Sequence, residues 1–203
     1  NEGIYLANDD LPEVQAKEEF TIGIAMTTVS TDWFKSLADE TQAQVEAAGC
    51  KALVSICEDD VTQQIAQLEN FMAQGVDGII LGPCNPQDAL TPVLNELAEA
   101  GIPVVTVNDT VAADAPIFCA VSVDAYELGK GVGSYLVEQL LEMYPDAETI
   151  EYALIGGKDG DAIAHNRNEG AKAGVAEVDT EGKIQLVSFL YSGGYSEENG
   201  LET

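Results

Sequence analysis

Three glycines, at residues 49, 75 and 101, stand 26 residues apart, and each closes an amphipathic stretch and precedes a short apolar run. That interval has room for one helix and one strand. The apolar runs Phe20–Met26, Ala52–Ile56, Gly78–Leu81 and Pro103–Val107 do not alternate with polar residues. A strand that reads this way is buried on both faces, as in a parallel sheet. Between the runs, apolar residues recur at helical spacing: Phe34, Leu37, Val45 and Ala48, then Val61, Ile65, Leu68 and Met72, then Leu90, Leu94 and Leu97. Start signals agree with this reading. Thr31-Asp32 precedes the first helix, Asp60 with Gln63 forms a capping box, and Asn85-Pro86 is expected to be an N-cap followed by proline at the first helical position. The fold class is therefore α/β, a doubly wound parallel sheet with right-handed crossovers, and not a solenoid.

A fifth run, Ile117–Val121, places Cys119 at the centre of a strand expected to be buried. Asp124 with Glu127 then opens a long helix to about Met143. The rhythm restarts with a strand Glu151–Ile155, a helix Ala162–Glu177, a strand Ile184–Leu190 and a helix start at Ser196. Five strands complete one lobe, whereas two cannot bury a core alone. The expected division is an acidic linker or tether over 1–19, a first α/β lobe over 20–123, and a crossover helix with a partial second lobe over 124–203. The chain starts at Asn1 without a signal-peptide pattern, as a processed or shortened form would.

Composition removes several function classes. With 36 acidic and 8 basic residues the net charge is -28, which repels phosphate backbones and anionic lipids, so no nucleic-acid partner is expected. Cys50, Cys57, Cys84 and Cys119 form no CxxC pair, and a single histidine with scattered thiols is a poor ligand set, so neither metal nor cofactor is expected. A Cys57–Cys84 disulfide is compatible with the sequence but not required by it. Catalysis has little support. Gly156-Gly157-x-x-Gly160 follows a strand and its amides could cradle a phosphate, yet it is neither GxGxxG nor a P-loop. Gly129-x-Gly131-x-Gly133 lies inside a helix and reads as a packing face. No serine or cysteine sits in a nucleophile elbow, and no residue is assigned a catalytic role.

Ligands of open parallel sheets bind beyond the carboxyl ends of the strands, where the strand order reverses. Those ends carry Thr31, Asp32 and Trp33 after the first strand, and Asn108 and Asp109 after the fourth. His165 and Arg167 follow the first strand of the second unit, and Tyr195 follows its second. Short polar groups beside aromatic rings suit a sugar, whose hydroxyls donate and accept while its C–H face lies on a ring. Trp33, the sole tryptophan, is either a stacking platform or core packing. Arg167, the sole arginine, is either a two-pronged clamp on ligand oxygens or a surface ion pair. His165 is solvent-exposed or a ligand contact. Asn108 and Asp109 contact ligand or shape the turn.

From Phe20 onward the chain resembles the type I periplasmic sugar-binding proteins, the ribose- and galactose-binding group. The stretches FTIGIAMTTVSTDWFKSL, MAQGVDGIILGPCNPQDAL, AEAGIPVVTVND, VSVDAYELGKGVGSYL and GGKDGDAIAHNRNEGAKAG carry the likeness. In such proteins two lobes close over a sugar. The resemblance implies stacking by Trp33, hydroxyl contacts by Thr31 and Asn108, a clamp by Arg167, and second-lobe contacts near His165 and Tyr195. It also implies capture of a monosaccharide outside the cytoplasmic membrane, from a periplasmic or lipid-anchored position, and delivery to the membrane permease of an ABC importer. The calcium loop of galactose-type members is absent from LEMYPDAETIEY, and the remaining second-lobe strands are missing. The expectation is therefore weak sugar binding unless another chain completes the cleft, with self-association through the incomplete lobe. The alternative is a ligand-sensing domain of a sensor or regulatory protein.

Overall fold

A computed structural model describes residues 14–193 and 197–201. The chain divides into two compact units, one ending at Ser122 and the other starting at Val123.

The first unit is a five-stranded, all-parallel sheet. In chain order it runs β1 (Thr21–Met26), α1 (Asp32–Ala47), β2 (Lys51–Ile56), α2 (Val61–Gln74), β3 (Gly78–Leu81), a 3-10 turn (Gln87–Leu90), α3 (Thr91–Glu99), β4 (Val104–Val107) and β5 (Cys119–Val121). The spatial order is β2-β1-β3-β4-β5. The chain thus leaves β1 on one side and returns on the other, and β1 and β3 flank the point of reversal.

Alternation along β1 explains its two-sided burial. Ile24 and Met26 face a cluster with Ala38 and Val45 of α1. Ala25 faces a larger cluster with Leu68 and Phe71 of α2, Leu94 and Leu97 of α3, and Leu81 and Val104. Gly23 makes the second contact close: a β-carbon there would meet the Phe71 ring at 2.7 Å. The three stop glycines all take left-handed backbone, with φ of 84°, 68° and 77° at Gly49, Gly75 and Gly101, where a side chain is strained. The Asp60 carboxylate accepts from the N–H groups of Thr62 and Gln63, as a cap should.

Two expectations fail here. Asn85 does not cap a helix: the Asn85–Pro86 peptide is cis, Pro86 precedes the 3-10 turn without a side-chain cap, and the proline inside α3 is Pro92. Nor is Cys119 buried. β5 is a three-residue edge strand paired to β4 alone, and all three of its residues are exposed, as is the adjoining Phe118. An apolar run does not reveal whether its strand ends up central or at an edge. Of the expected tether, residues 1–13 lie outside the described residues. Gln15 and Ala16 donate to the carbonyls of Ala47 and Ala48 at the end of α1.

The second unit contains α4 (Ala125–Met143), β6 (Ile150–Gly156), α5 (Ala162–Val178), β7 (Ile184–Tyr191) and α6 (Glu197–Leu201). β6 and β7 pair in parallel as a two-stranded sheet. Asp124 caps α4 by accepting from Glu127 N–H. Helices α4 and α5 meet backbone to backbone. A β-carbon at Gly129 or Gly133 would stand 2.1 Å from the carbonyl oxygen of Arg167 or Ala171. Gly170 and Gly174 answer them from α5, against the carbonyls of Tyr126 and Lys130. Gly131 has nothing within 4 Å, so of these three α4 glycines only Gly129 and Gly133 belong to the packing face. Beneath the helices lies a small core of Val137, Ile150, Val175 and Ile184.

Candidate functional site

In the first unit the loops after β1, β2, β3 and β4 lie at the carboxyl end of the sheet. Thr31 has extended backbone and caps α1, its hydroxyl oxygen accepting from Phe34 N–H at 3.3 Å. The cap turns α1 so that Asp32 and Trp33 lie in its first turn. Asp32 is exposed, and Trp33 is 64% exposed, so core packing is not its role.

The indole is nevertheless held. Its Nε1–H donates to Oδ1 of Asn108 at 3.2 Å. Asn108 directly follows β4, two strands from β1, so this bond spans roughly 10 Å of sheet across the end of β3. Asn108 itself sits at φ 66°, a left-handed conformation that asparagine tolerates, and its N–H donates to the Val121 carbonyl. An amide whose oxygen serves the indole still carries two N–H donors. Asp109 donates from its N–H to the Val107 carbonyl and accepts Thr110 N–H on its carboxylate, which gives it a turn-shaping role. Thr31, Trp33, Asn108 and Asp109 thus gather at one end of one sheet.

Sequence reasoning missed part of this rim. Glu58 and Asp59, after β2, both have positive φ, at 50° and 63°. Asp59 ties that loop to the β1 loop: its N–H donates to the Thr27 carbonyl, and its carboxylate accepts the Thr27 hydroxyl. No local signal marks these residues, because what holds them lies on a neighbouring strand. Behind the rim, Gln64 of α2 is fully buried and bridges two backbone groups of the β3 loop, Gly82 O and Cys84 N–H.

In the second unit, Asp161 caps α5 by accepting from Ile163 and Ala164 N–H. This bears on the glycine-rich loop before it. The first-turn amides that could cradle a phosphate already serve a carboxylate, which also repels one. Gly156 is small because the Asn168 amide lies against it, 2.5 Å from where a β-carbon would stand. His165 and Arg167 are both exposed on α5. Two positions apart, they point to different sides of the helix. Arg167 lines a largely apolar concavity of about 420 Å³ with Leu128, Val132, Leu154, Ile155 and Asn168, and His165 does not. Asn168 is buried there, and its Nδ2 has no partner. Neighbouring Glu169 is held below the usual carboxylate range by its hydrogen bond and ion pair with Lys172. Tyr195 lies outside the described residues. Among the described residues, no three His, Cys, Asp or Glu side chains stand close enough together to hold a metal ion.

Comparison with known proteins agrees with this architecture. The ribose import binding protein of Bacillus subtilis is 26% identical over 124 residues, covering 61% of this chain and 40% of that protein. The D-xylose-binding periplasmic protein of Escherichia coli is 27% identical over 185 residues, covering 91% of this chain and 53% of that one. The chain thus spans about half the length of the curated relatives it matches. A solute-binding protein of an ABC transporter from Actinobacillus succinogenes, solved with bound D-allose, superposes with a TM-score of 0.75 at 23% identity, over 90% of this chain and 62% of that one. The fold is that of the type I periplasmic binding proteins. The family model described as periplasmic binding protein domain matches residues 22–203, and the chain belongs to that family of solute-binding proteins.

Proposed function

We propose that this chain captures a monosaccharide as part of an extracytoplasmic solute-binding protein, which passes the sugar unchanged to the membrane permease of an ABC importer. Residues 20–123 serve as its first lobe, and 124–203 as a crossover helix with part of the second. The observation that carries the reading is Trp33, an exposed indole fastened to Asn108 at the carboxyl end of the sheet. Leaving a large aromatic ring in water forgoes the free energy of burying it. Holding it there with a hydrogen bond presents a fixed apolar face to a ligand.

A sugar ring offers a C–H face to such an indole and hydroxyls to the polar groups around it. Thr31, Asp32, Asn108 and Asp109 supply acceptors and donors at that end of the sheet. On the second unit Arg167 supplies a planar set of five donors, and His165 and Tyr195 are further contacts in this reading. The relatives named for ribose and xylose, and the neighbour holding allose, support a monosaccharide as the ligand class. The family supports a place outside the cytoplasmic membrane, and among the described residues no helix is long and apolar enough to span one. A lipid anchor belongs to the same proposal. Binding without chemistry fits a site that holds a ligand by stacking and hydrogen bonds.

Isothermal titration calorimetry of the chain against pentoses, hexoses and, as controls, small amino acids tests this. The expected result is saturable heat with one sugar and none with amino acids. Trp33→Ala should weaken that binding by about 10-fold or more, since a stacked aromatic contributes upward of a kcal/mol. Heat with an amino acid and with no sugar would overturn the ligand class.

A further inference from the structure

A buried amide sits where two strands of the first unit part. β1 and β3 pair in parallel, with Ile22 beside Gly78 and Ala25 beside Leu81. One step on, Gly82 N–H donates to the Ala25 carbonyl at 2.8 Å. In a parallel ladder a residue serves its neighbouring strand twice. It donates its N–H to one residue and accepts on its carbonyl from the residue two further on. Continued in the same register, Thr27 would donate to the Gly82 carbonyl and accept from Cys84 N–H. Instead the Gln64 side chain takes both positions. Its Nε2–H donates to the Gly82 carbonyl at 2.9 Å, and its Oε1 accepts from Cys84 N–H at 2.7 Å. The Thr27 carbonyl is turned to the other side, where it accepts from Asp59 N–H and the Cys57 thiol of the β2 loop.

We propose that Gln64 is a positioning residue for ligand capture: its amide ends the β1–β3 ladder and so releases the segment from Thr27 to Trp33 from β3. β1 and β3 flank the reversal of strand order, where open parallel sheets take their ligands. A ladder zipped one step further would draw Thr27 onto β3 and close that mouth from below. Gln64 is fully buried on α2, so it acts through the backbone it holds and not by contact with a ligand. Thr31 and Trp33 follow Thr27 in the released segment, and Trp33 reaches past β3 to Asn108. Gly82 and Cys84 are buried, so their backbone groups need the partner that Gln64 supplies. Without it, the register makes Thr27 the substitute, and recruiting Thr27 pulls the Trp33 segment out of place. The role rests on the sugar reading for what is captured, not for what is positioned.

Gln64→Met keeps the length of the side chain and removes both bonds. Measured without sugar, the steady-state fluorescence anisotropy of the sole tryptophan should fall toward that of Asn108→Ala, in which the indole is free. Calorimetric affinity for the sugar that the parent chain binds should weaken by about 10-fold. Gln64→Glu adds a pH signature, and it carries the test should Gln64→Met not fold. A protonated carboxyl has one O–H donor and one acceptor oxygen, the same pair that the amide provides. Burial raises a carboxyl above its usual value, and the protonated form grows as pH falls. Anisotropy and affinity of Gln64→Glu should therefore match the parent chain at about pH 5 and fall below it at about pH 8, each compared at the same pH. A lower melting temperature with anisotropy and affinity unchanged would reduce Gln64 to ordinary core packing and overturn the proposal. If the parent chain binds no sugar, the sugar reading fails, and the anisotropy still decides the role of Gln64.

Discussion

The two units repeat one strand–helix rhythm, but different forces hold them. In the first, β1 has a strand on each side and helices on each face, and side chains such as Ile24, Leu68, Leu94 and Leu97 are fully buried. In the second, a two-stranded sheet offers little to cover, and Ile155, Val187, Leu190, Val132 and Tyr135 stay exposed. There the tightest contact is between backbones, at the four glycines where α4 crosses α5. A narrow sheet cannot bury enough apolar area, so the close helix crossing carries proportionally more of the second unit's stability.

Glycine substitutions would break that comparison most sharply. Gly133→Ala places a β-carbon 2.1 Å from the Ala171 carbonyl oxygen, which cannot yield without parting the helices. It should cost about 3 kcal/mol and melt the second unit separately from the first, read by calorimetry. Gly131→Ala, two residues away in open space, should instead be neutral or stabilise by up to about 1 kcal/mol. If both behave alike, the crossing is not what holds the unit.

Core truncation comes next. Leu94→Ala, at a fully buried position of the first unit, should cost about 3 kcal/mol in chemical denaturation. Leu186→Ala on half-exposed β7 should cost less than about 1 kcal/mol. Equal losses would mean that the two sheets are covered alike.

An acid-sensitive contact sits in the second unit. Burial is the largest single influence on Asp179 and acts upward. The backbone N–H groups of Ile184, Lys183, Gly182 and Glu181 together outweigh it and hold the carboxyl below its usual value. A depressed value stabilises the fold above the ordinary carboxylate pKa near 3.8, and that contribution is lost as pH falls through the lower folded value. Asp179→Ala should cost about 2 kcal/mol near neutrality, and the gap to the parent protein should narrow below about pH 4. A gap that does not change with pH would remove the charge from the explanation.

The smallest expected effect is a likeness between the units. Asp60→Ala and Asp161→Ala each remove a carboxylate that accepts from two first-turn amides, and each should cost about 1 kcal/mol. A clear difference would show that context, not the cap, sets its worth.

What the sequence disclosed was local. Continuous apolar runs marked the strands, glycines marked the helix stops, and Asp60 and Asp124 capped where expected, because each depends on neighbours in the chain. What it concealed depended on strand order. Cys119 reads as core until β5 proves to be an edge. The hydrogen bond between Trp33 and Asn108 joins residues 75 apart, at the ends of two strands with β3 between them. Asn85-Pro86 looks like a helix start because the same dipeptide also serves turns. At the candidate site, the residue types of Thr31, Trp33, Asn108 and Asp109 were legible from their strand-end positions. Their mutual contacts were not, and neither was the divergence of His165 from Arg167 around α5.

Because Trp33 is the sole tryptophan, its fluorescence reports directly on the central claim. The chain is titrated with the sugar selected by calorimetry, alongside Asn108→Ala, which frees the indole. A saturable change in emission is expected in the parent chain, with a midpoint matching the calorimetric constant and weakened in the variant. Saturable heat with no change in emission would mean that the sugar binds away from Trp33, and the assignment of the site would be wrong.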